Sequence, residues 1–229
     1  MLKAGCVIAV ETASFFEEFG KPDETLYAGK RPVWKYKKDT YELYAIHSGA
    51  GEIFASMAAQ LLISTYKIDM LFNFGVVGGL NESMALEKMC VVKEVVHYEF
   101  DTSEIDGCEP GRYLQYPSAA IPVNEKLLET ALRIEPSLKP VRCASGNRFV
   151  GDPAKKRELA EKYGAEICEM EAAGILLTAD WNEVPCLMIK MVSDGVEGGA
   201  EEFARELENT GRKCAAILAK VLEEIAEDQ

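Results

Sequence analysis

Short apolar, β-branched runs alternate with helix-period stripes along almost the whole chain, and this alternation is the strongest constraint on its fold. Cys6-Val7-Ile8-Ala9-Val10 reads as a first strand, Tyr41–Ile46 as a second and Ile68–Phe74 as a third. Cys90–Val96, Val141–Ala144 and Val184–Val192 complete a sheet. Between them, Ile53, Phe54, Met57, Ala58, Leu61, Leu62 and Thr65 follow a helical stripe. Asn124 caps a helix carrying Leu127, Leu128 and Leu132 that ends before Pro136. Asp152-Pro153 is a helix start, a side-chain cap followed by Pro at the first helical position, and Gly164 closes that helix. A last amphipathic helix holds Cys214, Ile217, Leu218, Val221, Leu222 and Ile225. Strand–helix alternation of this kind predicts a three-layer α/β/α architecture around a central mixed, mostly parallel sheet. The 229 residues are expected to form one domain, 1–229, since domains run to roughly 100–200 residues. The segment Glu99–Pro122 is the least regular and is expected to be a binding loop, an interface or an ordinary surface excursion.

Charge and composition remove several classes of function. With 25 Lys+Arg against 38 Asp+Glu the formal charge is −13, which repels a phosphate backbone and an anionic membrane surface alike. The longest stretch free of Asp, Glu, Lys and Arg, Ile53–Tyr66, has fourteen residues, short of the ~20 a spanning helix needs. Met1–Gly5 leads straight into an apolar run without the length or cleavage site of a signal peptide. The seven cysteines form no C-x-x-C pair and most lie in apolar runs, which points to reduced core thiols in a cytoplasmic protein. The two histidines, His47 and His97, lie in unrelated segments, so no metal site is expected and the chemistry is expected to run on carboxylates.

Three constellations could carry that chemistry. Ser48-Gly49-Ala50-Gly51 and Gly75-Val76-Val77-Gly78-Gly79 follow predicted strands. Glycines there either let the backbone approach a ligand or simply make tight turns. Neither segment matches a dinucleotide or P-loop motif, so no cofactor is expected. Glu169-Met170-Glu171 stands where an apolar strand meets a helix start; its carboxylates either accept two ribose hydroxyls or decorate a helix N-terminus, as the helix dipole favours. Asp194 ends the strand Val184–Val192, either at a ligand site beyond the carboxyl ends of the sheet or as a turn cap.

Taken in series, Asn73-Phe74-Gly75-Val76-Val77-Gly78-Gly79, Ser145-Gly146-Asn147-Arg148-Phe149-Val150, Glu169-Met170-Glu171-Ala172-Ala173 and Val192-Ser193-Asp194 resemble the nucleoside phosphorylase/hydrolase superfamily. The pattern is most similar to 5′-methylthioadenosine/S-adenosylhomocysteine nucleosidases and covers the chain from Cys6 to the final helix. The resemblance implies hydrolysis of the N-glycosidic bond of a purine nucleoside, in purine and methionine salvage, by a homo-oligomer without cofactor. Asp194 would protonate N7 of the leaving base, with Ser193 orienting it. Phe149 would stack on the purine and the Val150 backbone would pair with its edge. Met170 would pack under the ribose, Glu171 would hold its hydroxyls, and Glu169, Gly75 and Val76 would complete the binding site.

Two departures bear on the nucleophile. The position of the family's water-activating Glu is Ala13 here, with Glu11 displaced by two residues and Glu17 one helical turn further on. Glu11 is taken as the third catalytic carboxylate. Val76 and Asn73 stand where relatives carry an anion-binding Ser and Arg, which lowers the expectation of phosphorolysis. A phosphate-dependent purine nucleoside phosphorylase and a catalytically impaired nucleoside-binding relative are the alternatives. Arg148 is expected to face the base, an anionic substrate group or solvent.

Overall fold

Strand β5 (Met70–Gly79) is buried along its full length, and the sheet is arranged about its two edges. The computed structural model describes residues 1–228; Gln229, the last residue of the expected domain, lies outside the described residues. Along one edge of β5 runs β10 (Cys186–Asp194), parallel, in register from Cys186 opposite Leu71 to Val192 opposite Val77, after which a bulge shifts the register so that Asp194 comes opposite Gly78. The other edge is shared. Its first half pairs with β1 (Leu2–Ile8), in register from Ala4 opposite Met70 to Val7 opposite Asn73. Its last two residues pair with β9 (Ile167–Glu169).

That division organises everything else. Beyond β1 the sheet continues through β4 (Tyr41–His47), parallel, then β3 (Arg31–Lys37) and β2 (Glu24–Ala28), both antiparallel. Beyond β10 comes β6 (Met89–His97), antiparallel, carrying the short β7 (Ala120–Pro122) and pairing in parallel with β8 (Lys139–Ser145). Strand β8 pairs with β9, so the path β5–β10–β6–β8–β9 returns to β5 as a closed ring with the other strands as an open wing. The sheet is mixed as expected, with parallel pairing through its centre. Where β1 and β9 part company on the same edge of β5, a cleft opens beyond the carboxyl ends of the strands, the usual ligand position in such sheets.

Three layers follow from strand periodicity. Alternate residues of β1 (Leu2, Ala4, Cys6, Ile8) pack with Phe15 of α1 (Thr12–Phe19), Leu127 of α4 (Glu125–Ile134) and Leu218 and Leu222 of α7 (Ala200–Glu227). On the other face, Val7, Leu71, Met188 and Val192 meet Ala55 and Ala59 of α2 (Glu52–Leu61) and Ile175 and Leu176 of α6 (Ala172–Trp181). Helix α2 runs on into a wider π-type turn, Leu62–Tyr66. Helix α5 (Pro153–Tyr163) covers a third, smaller cluster with Ala144, Leu159 and Cys168. The caps form as the sequence suggests: Asn124 accepts the Leu127 amide at 2.9 Å, Asp152 accepts the Ala154 amide at 3.0 Å, and Gly164 closes α5 at φ 61°.

Several elements differ from the sequence reading, each for a local reason. Helix α1 and the strands of the β2–β3 hairpin are short, with eight, five and seven residues respectively. Helix α7 begins fourteen residues before Cys214, at Ala200. Its first half is polar and packs on α1 through small residues: a Cβ on Gly211 would lie 2.7 Å from Ser14 Oγ. The glycines Gly75–Gly79 are not a turn but the end of β5, whereas Gly49 (φ 85°) and Gly51 (φ 102°) do turn the chain. The Glu99–Pro122 segment is irregular apart from α3 (Ser103–Asp106) and β7 at its end. Among the described residues no helix is long and apolar enough to cross a membrane, and the seven cysteines are unpaired, all buried but Cys108.

Candidate active site

Beyond β1 the chain turns into α1 through Glu11, whose carboxylate is buried. It accepts the Val10 amide at 3.0 Å and reaches across to accept the Val76 amide of β5 at 2.9 Å. Only glycine permits this approach, since a Cβ on Gly75 would sit 2.6 Å from Glu11 Oε1. Glu17 is exposed on the far side of α1, 3.3 Å from Arg212, and Ala13 is exposed too. The position two residues after Glu11 therefore faces away from the cleft, and of these acids Glu11 alone enters it.

The β9–α6 corner supplies the next two carboxylates, in unlike states. Glu169 accepts the amides of Glu171 and Ala172 at 2.9–3.0 Å, filling donors that a helix start leaves open. Its Oε2 lies 3.4 Å from the ammonium of Lys190, which is fully buried on β10. Burial weakens that ammonium, but Glu169 and Glu171 more than offset it and hold its pKa above the ordinary lysine value. Among the described residues Glu171 has no cation in direct contact. Its Oε1 accepts the Gly51 amide at 2.8 Å, and burial, followed by the charge of Glu169, pushes its pKa up to about 8. Behind the corner, Ser145 accepts the Ala173 amide at 3.0 Å and donates to Glu52 at 2.8 Å. Glu52 in turn lies 2.7 Å from His97 Nε2.

Asp194 closes the site at the end of β10. It is buried, accepts from Ser193 Oγ at 3.1 Å, and lies 2.5 Å from the ammonium of Lys156, which is itself fully buried. The apolar walls are Val10, Val76, Val150, Met170, Phe149 and Phe203. Phe149 meets Phe203 edge-to-face at 5.4 Å. Together these residues surround a mostly apolar cavity with a few converging carboxylates, open at its mouth, the usual make-up of a small-molecule site.

Of the residues singled out from sequence, Asp194, Glu171, Glu11, Glu169, Phe149, Val150, Met170 and Val76 line this one cavity. Ser193 and Gly75 stand behind it, holding Asp194 and making room for Glu11. Arg148 lines the mouth and is exposed. Glu169 has its oxygens engaged by backbone amides and Lys190, the helix-start role that the acidic corner left open. Sequence reasoning missed Phe203, a lone aromatic in the polar half of α7, and both buried lysines. The signal for Lys156 is its place one turn before buried Leu159 on α5; for Lys190 it is a cation inside an apolar strand. Among the described residues no three His, Cys, Asp or Glu side chains converge as metal ligands would.

Comparison with known proteins bears on the family and the fold. The family model of the phosphorylase superfamily matches residues 6–227. The 5′-methylthioadenosine/S-adenosylhomocysteine nucleosidase of Shewanella pealeana is 29% identical, over 98% of this chain and 100% of that protein. The aminodeoxyfutalosine nucleosidase of Campylobacter jejuni is 26% identical, over 94% and 93% respectively. Among solved structures, a futalosine hydrolase mutant of Helicobacter pylori superposes with a TM-score of 0.91 at 23% identity, over 98% of this chain and 100% of that one. At that identity the superposition speaks for the fold. With the family model spanning nearly its full length, the chain belongs to the phosphorylase superfamily.

Proposed function

We propose that the chain is a purine nucleosidase that hydrolyses the N-glycosidic bond of a 5′-substituted nucleoside such as 5′-methylthioadenosine or S-adenosylhomocysteine. The observation that carries the reading is the convergence of Asp194, Glu171 and Glu11 in one aromatic-walled cavity. Cleaving this bond makes an oxocarbenium-like sugar and an electron-rich base. Asp194 serves as acid to N7, a step of a kind worth about 10²–10⁴-fold in rate. Once ionised, Glu171 accepts the ribose hydroxyls, and its charge, with that of Glu11, favours the cationic sugar. Phe149 and Phe203 flank the base, the Val150 backbone meets its edge, and Met170 lies under the ribose. Glu11 takes a proton from the attacking water, its placement by the Val76 amide favouring an active hydrolase over an impaired relative.

The same geometry speaks against phosphate as nucleophile. The Val76 amide is occupied by Glu11, and the buried cations Lys190 and Lys156 are already matched to Glu169 and Asp194. A phosphate would meet carboxylates. The relatives' names extend the substrate class to 5′-substituents larger than methylthio, and the exposed mouth near Phe149 and Arg148 suits them.

The reading includes one domain, a cytoplasmic setting and a homo-oligomer. Ile53, Phe54 and Met57 on α2 and Trp181 at the end of α6 are exposed apolar side chains, as are Ile105 and Leu114 in the irregular segment. Clusters of this kind mark association surfaces. The test of function is base release from methylthioadenosine, S-adenosylhomocysteine, aminodeoxyfutalosine and futalosine, with and without phosphate. Release from at least one without phosphate is expected. Strict phosphate dependence would make the chain a phosphorylase, and tight nucleoside binding with no release at stoichiometric enzyme would make it a binding relative.

A further inference from the structure

The nucleosidase reading leaves Lys156 without a task. Its neighbour Lys155 is at the surface, 2.7 Å from Glu158. Lys156 instead lies on the inner stripe of α5 with no solvent exposure, its Nζ 2.5 Å from Asp194 Oδ2 and 2.6 Å from the Gly195 carbonyl. The pair is closed off on every side. From β9, Cys168 faces the pair, its thiol pushed up to about 12 by burial. From β5, Gly78 leaves so little room that a Cβ there would stand 3.3 Å from Asp194 Oδ2 and 3.5 Å from Lys156 Cε. Ser193 holds the other Asp194 oxygen, and Glu202 of α7 accepts the Gly195 amide at 2.8 Å. Lys156 does not line the cavity, whereas Asp194 does. The carboxylate therefore stands between a buried ammonium and any bound base. Lysine is almost never fully buried unless paired, and an apolar pair would pack here without desolvating two charges.

We infer that Lys156 is a positioning residue that supplies, through Asp194, the proton received by the departing base. The inference rests on the nucleosidase reading. The ammonium–carboxylate pair holds one transferable proton. As the C1′–N9 bond breaks, its electron pair stays on the purine. N7 takes the proton through the Asp194 carboxyl, leaving Lys156 as the amine and Asp194 as carboxylate. Water adds hydroxyl to C1′, its remaining proton goes to Glu11, and on product release Glu11 gives that proton to solvent while Lys156 takes one back.

The test compares Lys156→Met with the wild type on two substrates, methylthioadenosine and 4-nitrophenyl β-D-ribofuranoside, whose nitrophenolate departs without protonation. Lys156→Met is expected to lower kcat for adenine release by about 10²-fold or more with KM nearly unchanged, the size of a lost general acid. Nitrophenolate release is expected to fall less than about tenfold, since only the acid step is removed. A second variant covers poor folding of the first. Asp194→Asn with Lys156→Met removes both charges, and is expected to release adenine no more slowly than Asp194→Asn alone. Equal losses on both substrates, no loss on adenine release, or a double variant slower than Asp194→Asn would overturn the assignment while leaving the nucleosidase reading intact. A wild type that releases no base from any nucleoside would overturn both.

Discussion

The carboxylate of Glu11 reaches over Gly75 to accept the amide of Val76 at 2.9 Å, which fixes an acid from the β1–α1 turn against the strand that carries the cavity floor. The contact depends on the missing side chain at position 75. Gly75→Ala is therefore expected to displace Glu11 and lower kcat by about 10²-fold or more, as loss of a positioned base does. Glu11→Gln is expected to do the same with the fold undisturbed. Steady-state kinetics and thermal melts of both variants check this; full activity in Gly75→Ala would detach Glu11 from the chemistry.

Glu169 and Lys190 illustrate a buried pair that serves the frame of the site. Glu169→Gln keeps a partner for the α6 amides but strands the Lys190 ammonium. Breaking such a pair by removing one charge typically costs about 3–5 kcal/mol. Urea unfolding is expected to show a loss of that order. A change under about 1 kcal/mol, the scale of an exposed pair, would mean that the two charges are not buried together.

The state of Glu171 gives a pH signature. Its pKa is raised to about 8 in the folded chain by burial and by Glu169. A carboxyl raised on folding contributes stability that is present below its unfolded value and is lost as pH rises through the folded one. Between about pH 5 and pH 9 the wild type is thus expected to lose more stability than Glu171→Gln, whose amide does not titrate. Parallel urea titrations decide the matter, and equal slopes would contradict the burial of Glu171. The same logic extends to binding: a nucleoside whose diol donates to the carboxylate should bind more tightly as pH rises toward 8, and a 2′,3′-dideoxynucleoside should not.

Phe203 and Phe149 form one edge-to-face wall. Phe203→Ala is expected to raise KM about tenfold with a smaller change in kcat, as loss of ~1.4 kcal/mol of uniform binding would. A fall in kcat with constant KM would instead place Phe203 in transition-state contacts.

Much of the fold was legible because its signals are local. Asn124, Asp152-Pro153 and Gly164 are helix punctuation that works without tertiary help, and β5, β6 and β10 are predominantly apolar runs. The elements that escaped are stabilised by distant partners: α1 by stacking of Phe15 on Trp34 of β3 and Phe74 of β5, and the first half of α7 by small residues against α1. The site was legible for the same reason in reverse. Its acids interrupt apolar runs at strand ends, so Glu169, Glu171 and Asp194 stand out. What sequence did not reveal is how each acid is satisfied. Nothing local says that Glu169 is matched to Lys190 and Asp194 to Lys156, because both pairings join residues from different elements. Nor does spacing along the turn say which acid enters the cleft; the turn of α1 points Glu11 inward and Ala13 outward.

The most direct measurement is single-turnover adenine release from methylthioadenosine by Asp194→Asn beside the wild type, both checked for folding by circular dichroism. Release by the wild type in phosphate-free buffer, slowed about 10²-fold or more in the variant while nucleoside affinity holds, is the result expected of an acid at that position. A variant that keeps more than about a tenth of the wild-type rate would contradict it.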